Sequence, residues 1–157
     1  MKKFLVIGNP VEHSLSPQLH NHWIKENNID AIYDKKQIST NNIEGIISAV
    51  KNNKIDGINV TIPFKKSVIP FLDQLTPLAD EAQSVNTIFK KNDKIIGDNT
   101  DIGGFEQCIK HINYNVKGKK VFIIGAGGVV PSIIIALKRL GVEKITLSNR
   151  TKEKANN

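Results

Sequence analysis

The chain has 157 residues, a net charge of +7, and 39% hydrophobic and 24% charged residues. This length allows one ordinary domain, or one small domain with part of another, and the composition is typical of a soluble globular protein. No apolar run is long enough to cross a membrane. The basic residues are scattered and not interleaved with aromatic ones, which argues against nucleic-acid binding. The charge favours acidic substrates and phosphorylated cofactors.

The amino terminus and the single cysteine indicate a cytoplasmic protein. Residues 1–8 have a basic start and a short apolar run but lack the long apolar segment and cleavage site of a signal peptide. We therefore expect a first strand that begins at the true N-terminus. Cys108 cannot form an internal disulfide, which fits a reducing compartment. The four histidines show no ligand spacing, so we expect no metal, and the sequence leaves a homodimer open.

The first half of the chain alternates strand and helix patterns. Strands are predicted at 3–8, 31–38 and 58–62, with helices at 16–26 and 40–52 between them. This β-α-β-α-β order predicts an α/β fold with a mainly parallel sheet and helices on its faces. The second helix carries its apolar residues on one face, namely Ile43, Ile46, Ile47 and Val50.

The segment that follows is predicted to form shorter elements. Residues 68–72 form a short helix, and Thr76 followed by Pro77 starts another. Residues 84–89 and 94–97 read as two strands of a hairpin that turns at Asn92 and Asp93.

Several polar residues follow the predicted buried strand 58–62, which Pro63 ends because it has no N–H to donate. Ligands of open α/β sheets bind outside the carboxyl ends of the strands. Lys65 lies there, and because partial burial can lower the pKa of a lysine towards neutral, it is a candidate proton donor. Asn59 and Thr61 lie two residues apart, so they share a face and can bind one ligand.

Two further pairs of polar residues are candidates for ligand binding. Ser16 and Pro17 predict a helix start with Ser16 as N-cap, whereas Ser14 has no capping role. A helix N-terminus next to two serines is suited to a carboxylate. Asn86 and Asp101 lie beside apolar strands, where their ordinary roles are a polar strand residue and a helix N-cap.

Residues 113–119 are polar and end in Gly118, so we predict a domain junction there, with domains at 1–112 and 113–157. After the junction come a buried strand at 120–124, a glycine-rich turn, an apolar helix at 133–140 and a further strand at 144–147. This order has the size of a dinucleotide-binding fingerprint and predicts the start of a Rossmann-type domain.

The glycine-rich turn and the end of the second strand predict an NADP site. Gly125 permits the tight turn and Gly127 lets the backbone approach a pyrophosphate, whereas Val130 replaces the third small residue. Arg150 can pair with a 2′-phosphate, which favours NADP over NAD. The predicted cofactor-binding residues are Gly125, Ala126, Gly127, Gly128, Val129, Asn149, Arg150, Thr151 and Lys154. Since two strands and one helix leave a parallel sheet uncovered, we expect an N-terminal fragment of a longer protein.

Six motifs together resemble those of the shikimate dehydrogenase family. They are Ser14-Leu15-Ser16-Pro17, Asn59-Val60-Thr61-Ile62-Pro63-Phe64-Lys65, Val85-Asn86-Thr87, Gly97-Asp98-Asn99-Thr100-Asp101, Gly125-Ala126-Gly127-Gly128 and Asn149-Arg150-Thr151. The resemblance covers essentially the whole chain and implies reversible NADPH-dependent reduction of 3-dehydroshikimate to shikimate, on the pathway to aromatic amino acids.

The resemblance also implies roles for the candidate residues. Ser14 and Ser16 hold the substrate carboxylate, and Lys65 acts with Asp101 at the reacting oxygen. There an ammonium group stabilises growing negative charge and supplies a proton, and a neighbouring carboxylate raises the pKa of a lysine and keeps it charged. The residues implied to hold the ring hydroxyls are Asn59, Thr61, Asn86 and Asp101.

Two departures from the family pattern leave alternatives open. The first is Pro77, which follows Thr76 at a position where the family often has an acidic residue. The second concerns segments that would lie beyond Asn157, namely the family's later substrate-binding glutamine, the rest of its NADP domain and its final helix. The chain could then be a substrate-binding fragment without turnover. A quinate/shikimate dehydrogenase, which often prefers NAD, is disfavoured by Arg150, and a basic nucleic-acid binder ranks far lower.

Overall fold

The computed structural model describes residues 1–151, and its backbone contacts divide the chain into two compact units, Met1–Asp98 and Asn99–Asn157. This division falls before the predicted domain boundary at residue 112, which stays a prediction. Each unit has its own sheet, and each is described separately.

The sheet of the first unit is mainly parallel, as predicted. Its strand order is β2-β1-β3-β5-β6-β4, and only β5 runs antiparallel to its neighbours. The strands are β1 (Lys2–Gly8), β2 (Ala31–Gln37), β3 (Gly57–Val60), β4 (Gln74–Leu75), β5 (Thr87–Lys91) and β6 (Lys94–Asp98).

The helices of the first unit are α1 (Ser16–Glu26), α2 (Ile43–Lys51) and α3 (Pro77–Ala82). The predicted apolar face of α2 is confirmed, because its four isoleucine and valine side chains are buried. A 3-10 turn at Thr40–Asn42 precedes it, and another at Ile69–Phe71 replaces the short helix predicted at 68–72. The predicted start of α3 is also confirmed, since Thr76 Oγ1 accepts a hydrogen bond from Ala79 N–H.

The predicted hairpin joins β5 to β6. Asn92 and Asp93 have φ angles of 51° and 59°, which is the left-handed pair that a two-residue type I′ turn requires. Lys90 links this hairpin to α2, because its Nζ donates to the carbonyl of Lys51 at 3.0 Å and lies 3.2 Å from the carboxylate of Asp93. That bond satisfies one of the carbonyls left without an intrahelical partner at the end of α2.

β3 is shorter than predicted. It ends at Val60, and Ile62, expected inside the strand, is 60% exposed. Thr61 N–H still bonds to Ile7 O on β1, but Phe64 N–H then bonds back to Thr61 O, so Ile62 and Pro63 form the centre of a turn. The core lies beside this strand and includes Ile7, Ile43, Ile58, Val68, Val85, Ile88 and Ile95.

The second unit contains the predicted strand, turn, helix and strand, preceded by a further helix. Its elements are α4 (Asp101–His111), β7 (Lys120–Ile124), α5 (Val130–Arg139) and β8 (Lys144–Ser148), and β7 and β8 pair in parallel. α5 begins three residues before the predicted start. The prediction that β7 is buried is wrong within residues 1–151, because Phe122 and Ile124 share one face of the strand and are 60% and 85% exposed.

We expect Ile88→Ala to lower the free energy of unfolding of the first unit by about 2–5 kcal/mol, because Ile88 is fully buried between β3 and β6 and the truncation leaves a cavity. Guanidinium titration, monitored by the fluorescence of Trp23, measures the unfolding of this unit because Trp23 is the single tryptophan of the chain. The matched control is Ile32→Ala on β2, where the side chain is 44% exposed. Equal losses in the two variants would contradict the assigned core.

Candidate active site and nucleotide-binding turn

The topology of the first unit gathers most of the predicted substrate residues at one edge of the sheet. β1 and β3 are parallel, so their carboxyl ends meet at that edge, and the antiparallel β5 brings its amino end to the same place. Ser14 and Ser16 follow β1, whereas Asn59, Thr61 and Lys65 lie at or after the end of β3. Asn86 directly precedes β5.

The two serines exchange the roles predicted for them at the start of α1. Ser16 is the first helical residue and not the N-cap, a position that Leu15 takes with helical φ and ψ. Ser14 Oγ instead accepts a hydrogen bond from Ser16 N–H at 3.3 Å. A serine hydroxyl reaches a backbone N–H two residues later, which explains the shift. Both side chains are half-buried, and the bond to Ser16 N–H does not use the hydroxyl proton of Ser14.

Close packing fixes the position of Thr61. A Cβ at Gly8 would lie 2.5 Å from Thr61 Cγ2 and 3.1 Å from Ile62 O, so only glycine lets the end of β1 approach this turn. Phe64 is 2% exposed and anchors the turn in the core. Lys65 is half-buried after it, and its carbonyl accepts a hydrogen bond from Val85 N–H at 2.8 Å. The lysine backbone is therefore held between the turn and the segment that leads to Asn86.

The amide of Asn59 is engaged with other protein groups. Its Nδ2 donates to the Asn86 carbonyl at 3.2 Å and to Thr87 Oγ1 at 3.1 Å. Its Oδ1 accepts the hydroxyl proton of Tyr33 at 2.7 Å. Thr87 Oγ1 in turn donates to Asn86 Oδ1 at 3.0 Å. These bonds connect β2, β3 and β5 through side chains.

Tyr33 is held in place on several sides. It is 4% exposed, and its ring stacks on the imidazole of His20 at 4.1 Å between centroids. Asn21 bonds to both the N–H and the carbonyl of Tyr33, at 3.0 and 2.7 Å. Burial raises the pKa of Tyr33 to about 12 and lowers the pKa of His20.

Asn86 is 8% exposed, and its backbone is tied to both neighbouring strands. Asn86 N–H donates to Asp98 O at 3.0 Å, and Asn86 O accepts from Val60 N–H at 2.8 Å. Because both backbone groups of Asn86 are hydrogen-bonded, its side chain extends from a fixed position in the sheet.

Asp101 belongs to the second unit and is the first residue of α4, not the predicted N-cap. The buried Asn99 supplies the capping oxygen, since its Oδ1 accepts from Asp101 N–H at 3.1 Å and from Ile102 N–H at 3.3 Å. Asn99 Nδ2 donates to the fully buried Ser132 Oγ on α5 at 2.8 Å. This amide links the start of α4 to the helix that follows the glycine-rich turn.

The glycine-rich turn has the geometry of a phosphate cradle. Gly125 has φ of +106°, which side chains rarely adopt, and its N–H donates to Ser148 O at 2.7 Å. The turn leads into the N-terminus of α5, where backbone N–H groups and the helix dipole favour an anion. Gly127 and Gly128 are exposed. The residues present therefore fit the pyrophosphate of a dinucleotide.

The end of β8 joins this turn through Asn149. Its Oδ1 accepts from Ala126 N–H at 3.2 Å and its Nδ2 donates to Thr151 O at 2.7 Å, so its amide shapes the turn itself. Arg150 is exposed. The predicted residue Lys154 lies outside the described residues.

Comparison with known proteins gives the family. Residues 6–88 match the family described as "Shikimate dehydrogenase substrate binding domain". The chain belongs to the shikimate dehydrogenase family. Residues 107–157 match a second family of the same enzymes, "Shikimate / quinate 5-dehydrogenase". The sequence-based family assignment is thus confirmed.

Two curated relatives carry the name "Shikimate dehydrogenase (NADP(+))". The protein from Pelagibacter ubique is 58% identical over 154 residues, which are 98% of this chain and 58% of the relative. The protein from Caldanaerobacter subterraneus is 40% identical over 98% of this chain and 55% of the relative. The chain thus spans between half and two thirds of the length of these relatives.

Solved structures of the family have the same fold. Shikimate dehydrogenase from Aquifex aeolicus is 40% identical, with a TM-score of 0.92 over 99% of this chain and 58% of that one. The enzyme from Thermus thermophilus, solved with NADP(H) and shikimate, is 31% identical, with a TM-score of 0.89 over 99% of this chain and 59% of that one. The α/β fold class, with a substrate domain followed by the start of a Rossmann domain, is confirmed.

Sequence patterns gave no role to four residues whose side chains hold candidate site residues in place within their own units. Tyr33 and Thr87 look like ordinary strand residues, and Asn99 and Ser132 look like ordinary polar residues beside a helix. Their burial, at 4% for Tyr33, 1% for Asn99 and 0% for Ser132, becomes visible only in the fold. The Asn99-Thr100-Asp101 run did carry a signal, since asparagine two residues before a helical N–H commonly accepts from it.

The described residues show neither a membrane-spanning helix nor a metal-binding cluster. Within residues 1–151, no helix is long and apolar enough to span a bilayer. The same residues contain no group of three or more His, Cys, Asp or Glu side chains arranged to hold a metal ion. The expectation that no metal is required stays a prediction.

The pKa of Tyr33 predicts a stability change at high pH. Burial raises this pKa from 10.0 to about 12, so the folded chain keeps the phenol proton after the unfolded chain has lost it. The contribution to stability is complete below pH 10 and is lost as pH rises towards 12. We expect Tyr33→Phe to remove this loss, measured by guanidinium titration at pH 9, 11 and 12 and by tyrosinate absorbance.

The control is Tyr114→Phe, because Tyr114 is the other of the two tyrosines and is 55% exposed. Both variants carry the same lysines, so any difference between them comes from the tyrosine. An identical high-pH loss in Tyr33→Phe and in the parent chain would contradict the assignment.

Proposed function

We propose that this chain forms the shikimate-binding domain and the first part of the NADP-binding domain of a shikimate dehydrogenase. The reaction is the reversible, NADPH-dependent reduction of 3-dehydroshikimate to shikimate. The observation that carries this proposal is the convergence of Ser14, Ser16, Lys65 and Asn86 at one sheet edge, in a chain whose residues 6–88 match the substrate-binding domain of the family.

The start of α1 is the proposed site for the substrate carboxylate. Ser14 and Ser16 present two hydroxyl groups where the helix dipole favours negative charge. The oxygen of Ser14 is already used as an acceptor from Ser16 N–H, so its proton points to a second acceptor. A carboxylate, which only accepts hydrogen bonds, matches that requirement.

Lys65 is the proposed proton donor. Its backbone is held by the Val85 N–H bond and by buried Phe64, so the ammonium group extends from a rigid turn beside Thr61 and Asn86. In the reduction, negative charge grows on the carbonyl oxygen, and a nearby ammonium stabilises it and gives up a proton. Asp101 is the proposed second catalytic residue, and its role in keeping the lysine charged rests on the resemblance.

The glycine-rich turn and Arg150 are the proposed NADP site. When bound, the nicotinamide supplies the hydride. Residues 125–129 would hold the pyrophosphate by backbone N–H groups at the start of α5, and the exposed guanidinium of Arg150 would pair with the 2′-phosphate. Asn149 and Thr151 shape the turn, and Lys154 remains a predicted additional charge. We expect a cytoplasmic protein with no nucleic-acid or membrane partner, and a homodimer stays open.

Two further candidates have support. A quinate/shikimate dehydrogenase agrees with the family description matched by residues 107–157. A substrate-binding fragment without turnover agrees with the 58% of the Pelagibacter ubique relative that the chain covers.

Calorimetric titration of shikimate into the 157-residue chain tests the substrate proposal. We expect saturable binding with one site per chain, because the serines, Asn59, Thr61, Lys65 and Asn86 all lie in the described residues. Quinate is titrated in parallel, and tighter quinate binding would favour the second candidate. Absence of shikimate binding in a chain that is folded by circular dichroism would reject a self-sufficient substrate site.

Lys65→Ala is expected to lower turnover by about 10²–10⁴-fold, the usual contribution of a general acid. The assay uses residues 1–157 joined to the C-terminal segment of the Pelagibacter ubique relative, with NADPH oxidation followed at 340 nm. Lys66→Ala is the matched control, since Lys66 is the exposed neighbour. Near-normal turnover of Lys65→Ala would exclude the proposed role, whereas equal losses in both variants would indicate a general effect of charge.

Arg150→Ala is expected to weaken NADPH binding by about tenfold or more and to leave NADH binding nearly unchanged, because only NADPH carries the 2′-phosphate. Fluorescence titration of both nucleotides on the same chimeric chain measures the two affinities. The control is Lys144→Ala, an exposed cation at the start of β8. Equal losses for both nucleotides would remove the argument for NADP.

A further inference from the structure

We infer that a partly buried, one-directional chain of hydrogen bonds, which begins at Tyr33 and ends at Asn86, turns the amide of Asn86 so that its nitrogen and not its oxygen faces the substrate. The inference rests on the proposed function for the identity of the substrate. The chain of bonds itself is a property of the first unit and does not depend on it.

The direction of the chain is set by a backbone carbonyl, which can only accept hydrogen bonds. Asn86 O lies 3.2 Å from the amide of Asn59, so the atom of Asn59 that faces it must be Nδ2. The amide oxygen of Asn59 then faces Tyr33, at 2.7 Å from its hydroxyl. Because an amide oxygen also only accepts, Tyr33 must donate its proton.

The second half of the chain follows from the single proton of Thr87. The remaining N–H of Asn59 Nδ2 points to Thr87 Oγ1 at 3.1 Å, so this hydroxyl accepts there and keeps its own proton for another acceptor. The amide of Asn86 lies 3.0 Å away. Asn86 Oδ1 accepts that proton, so the oxygen of this amide faces Thr87 and Nδ2 faces the other way.

Burial keeps this direction constant. Tyr33 and Asn86 are 4% and 8% exposed, so water cannot easily replace a partner. His20 stacks on Tyr33 and both backbone groups of Tyr33 are bound by Asn21, which fixes the first donor. Burial raises the pKa of Tyr33 to about 12, so the donor is protonated at neutral pH.

The consequence concerns substrate choice. A donor at Asn86 selects a ring oxygen with a lone pair directed at it, as in a hydroxyl or a carbonyl, and disfavours a group that can only donate. Asn59 thereby becomes a positioning residue, because both of its N–H groups are used within the protein. This assignment differs from the direct substrate contact that the family resemblance implies for Asn59.

A measurement without ligand tests the direction of the bonds. Thr87→Val removes the hydroxyl at nearly constant volume, and Thr87→Ser retains it. We expect the side-chain amide resonances of Asn86 and Asn59 in ¹⁵N-labelled chain to move in Thr87→Val and to stay close to the parent values in Thr87→Ser. Thr146→Val, at an exposed threonine of β8, is the matched control. Unchanged Asn86 resonances in Thr87→Val would overturn the inference.

A binding measurement tests the consequence. We expect Thr87→Val to weaken shikimate binding by about tenfold, and Tyr33→Phe by a smaller factor because it acts two bonds further away. Thr87→Ser should restore binding to within about twofold of the parent chain. In an Asn86→Ala background, Thr87→Val should not weaken shikimate binding further, because its effect on binding acts through Asn86.

Additive losses in the double variant would overturn the inference, since they indicate that Thr87 contacts the ligand or only supports the fold. Thermal denaturation of each variant, read by Trp23 fluorescence, separates folding from binding. Should the parent chain bind no shikimate, the proposed substrate fails, and the amide resonances still decide the direction of the hydrogen bonds.

Discussion

The end of β3 is held by backbone hydrogen bonds from both sides, and the site depends on this constraint. Thr61 N–H donates to Ile7 O at 2.9 Å, and Val60 N–H donates to Asn86 O at 2.8 Å. A slip of one residue in either pairing would move Asn59 to the opposite face of the sheet. The same two pairings bring the loop after β1 and the start of β5 to the place where Lys65 leaves the strand. The backbone geometry of the proposed substrate site is thus set by sheet register.

Most elements were predictable because their signals are local. The apolar face of α2, the Thr76-Pro77 helix start and the Asn92-Asp93 turn each occupy a few neighbouring residues, and all three are confirmed. The end of β3 was not predictable from its β-branched run, because the turn depends on the bond from Phe64 N–H to Thr61 O and on the burial of Phe64. The prediction that β7 is buried was wrong for a similar reason. The amino-acid composition of a strand does not show which of its two faces is covered by other elements.

Local sequence rules placed the capping side chain two residues too late at the starts of both α1 and α4. Sequence rules assigned the caps to Ser16 and Asp101, but Ser14 and Asn99 provide the capping oxygens, each two residues earlier. In α4 the residue with a proposed catalytic role, Asp101, is therefore not the one that caps the helix, whereas in α1 the capping residue Ser14 also has a proposed substrate role. The start of α4 thus stays hydrogen-bonded without using the side chain of Asp101.

The roles of Tyr33 and Thr87 could not be read from the sequence, because they depend on the order of strands in space. Asn59 is opposite Thr87 only because β5 runs antiparallel beside β3, and Tyr33 reaches Asn59 only because β1 lies between β2 and β3. Once these neighbours are known, one carbonyl that can only accept determines how the amide of Asn59 is oriented and makes Tyr33 a donor. The bond from Thr87 Oγ1 to Asn86 Oδ1 completes the chain. A sheet topology thereby fixes which atom of Asn86 is offered to a ligand, although the residues that fix it are 27 and 53 positions earlier in the chain and one position later.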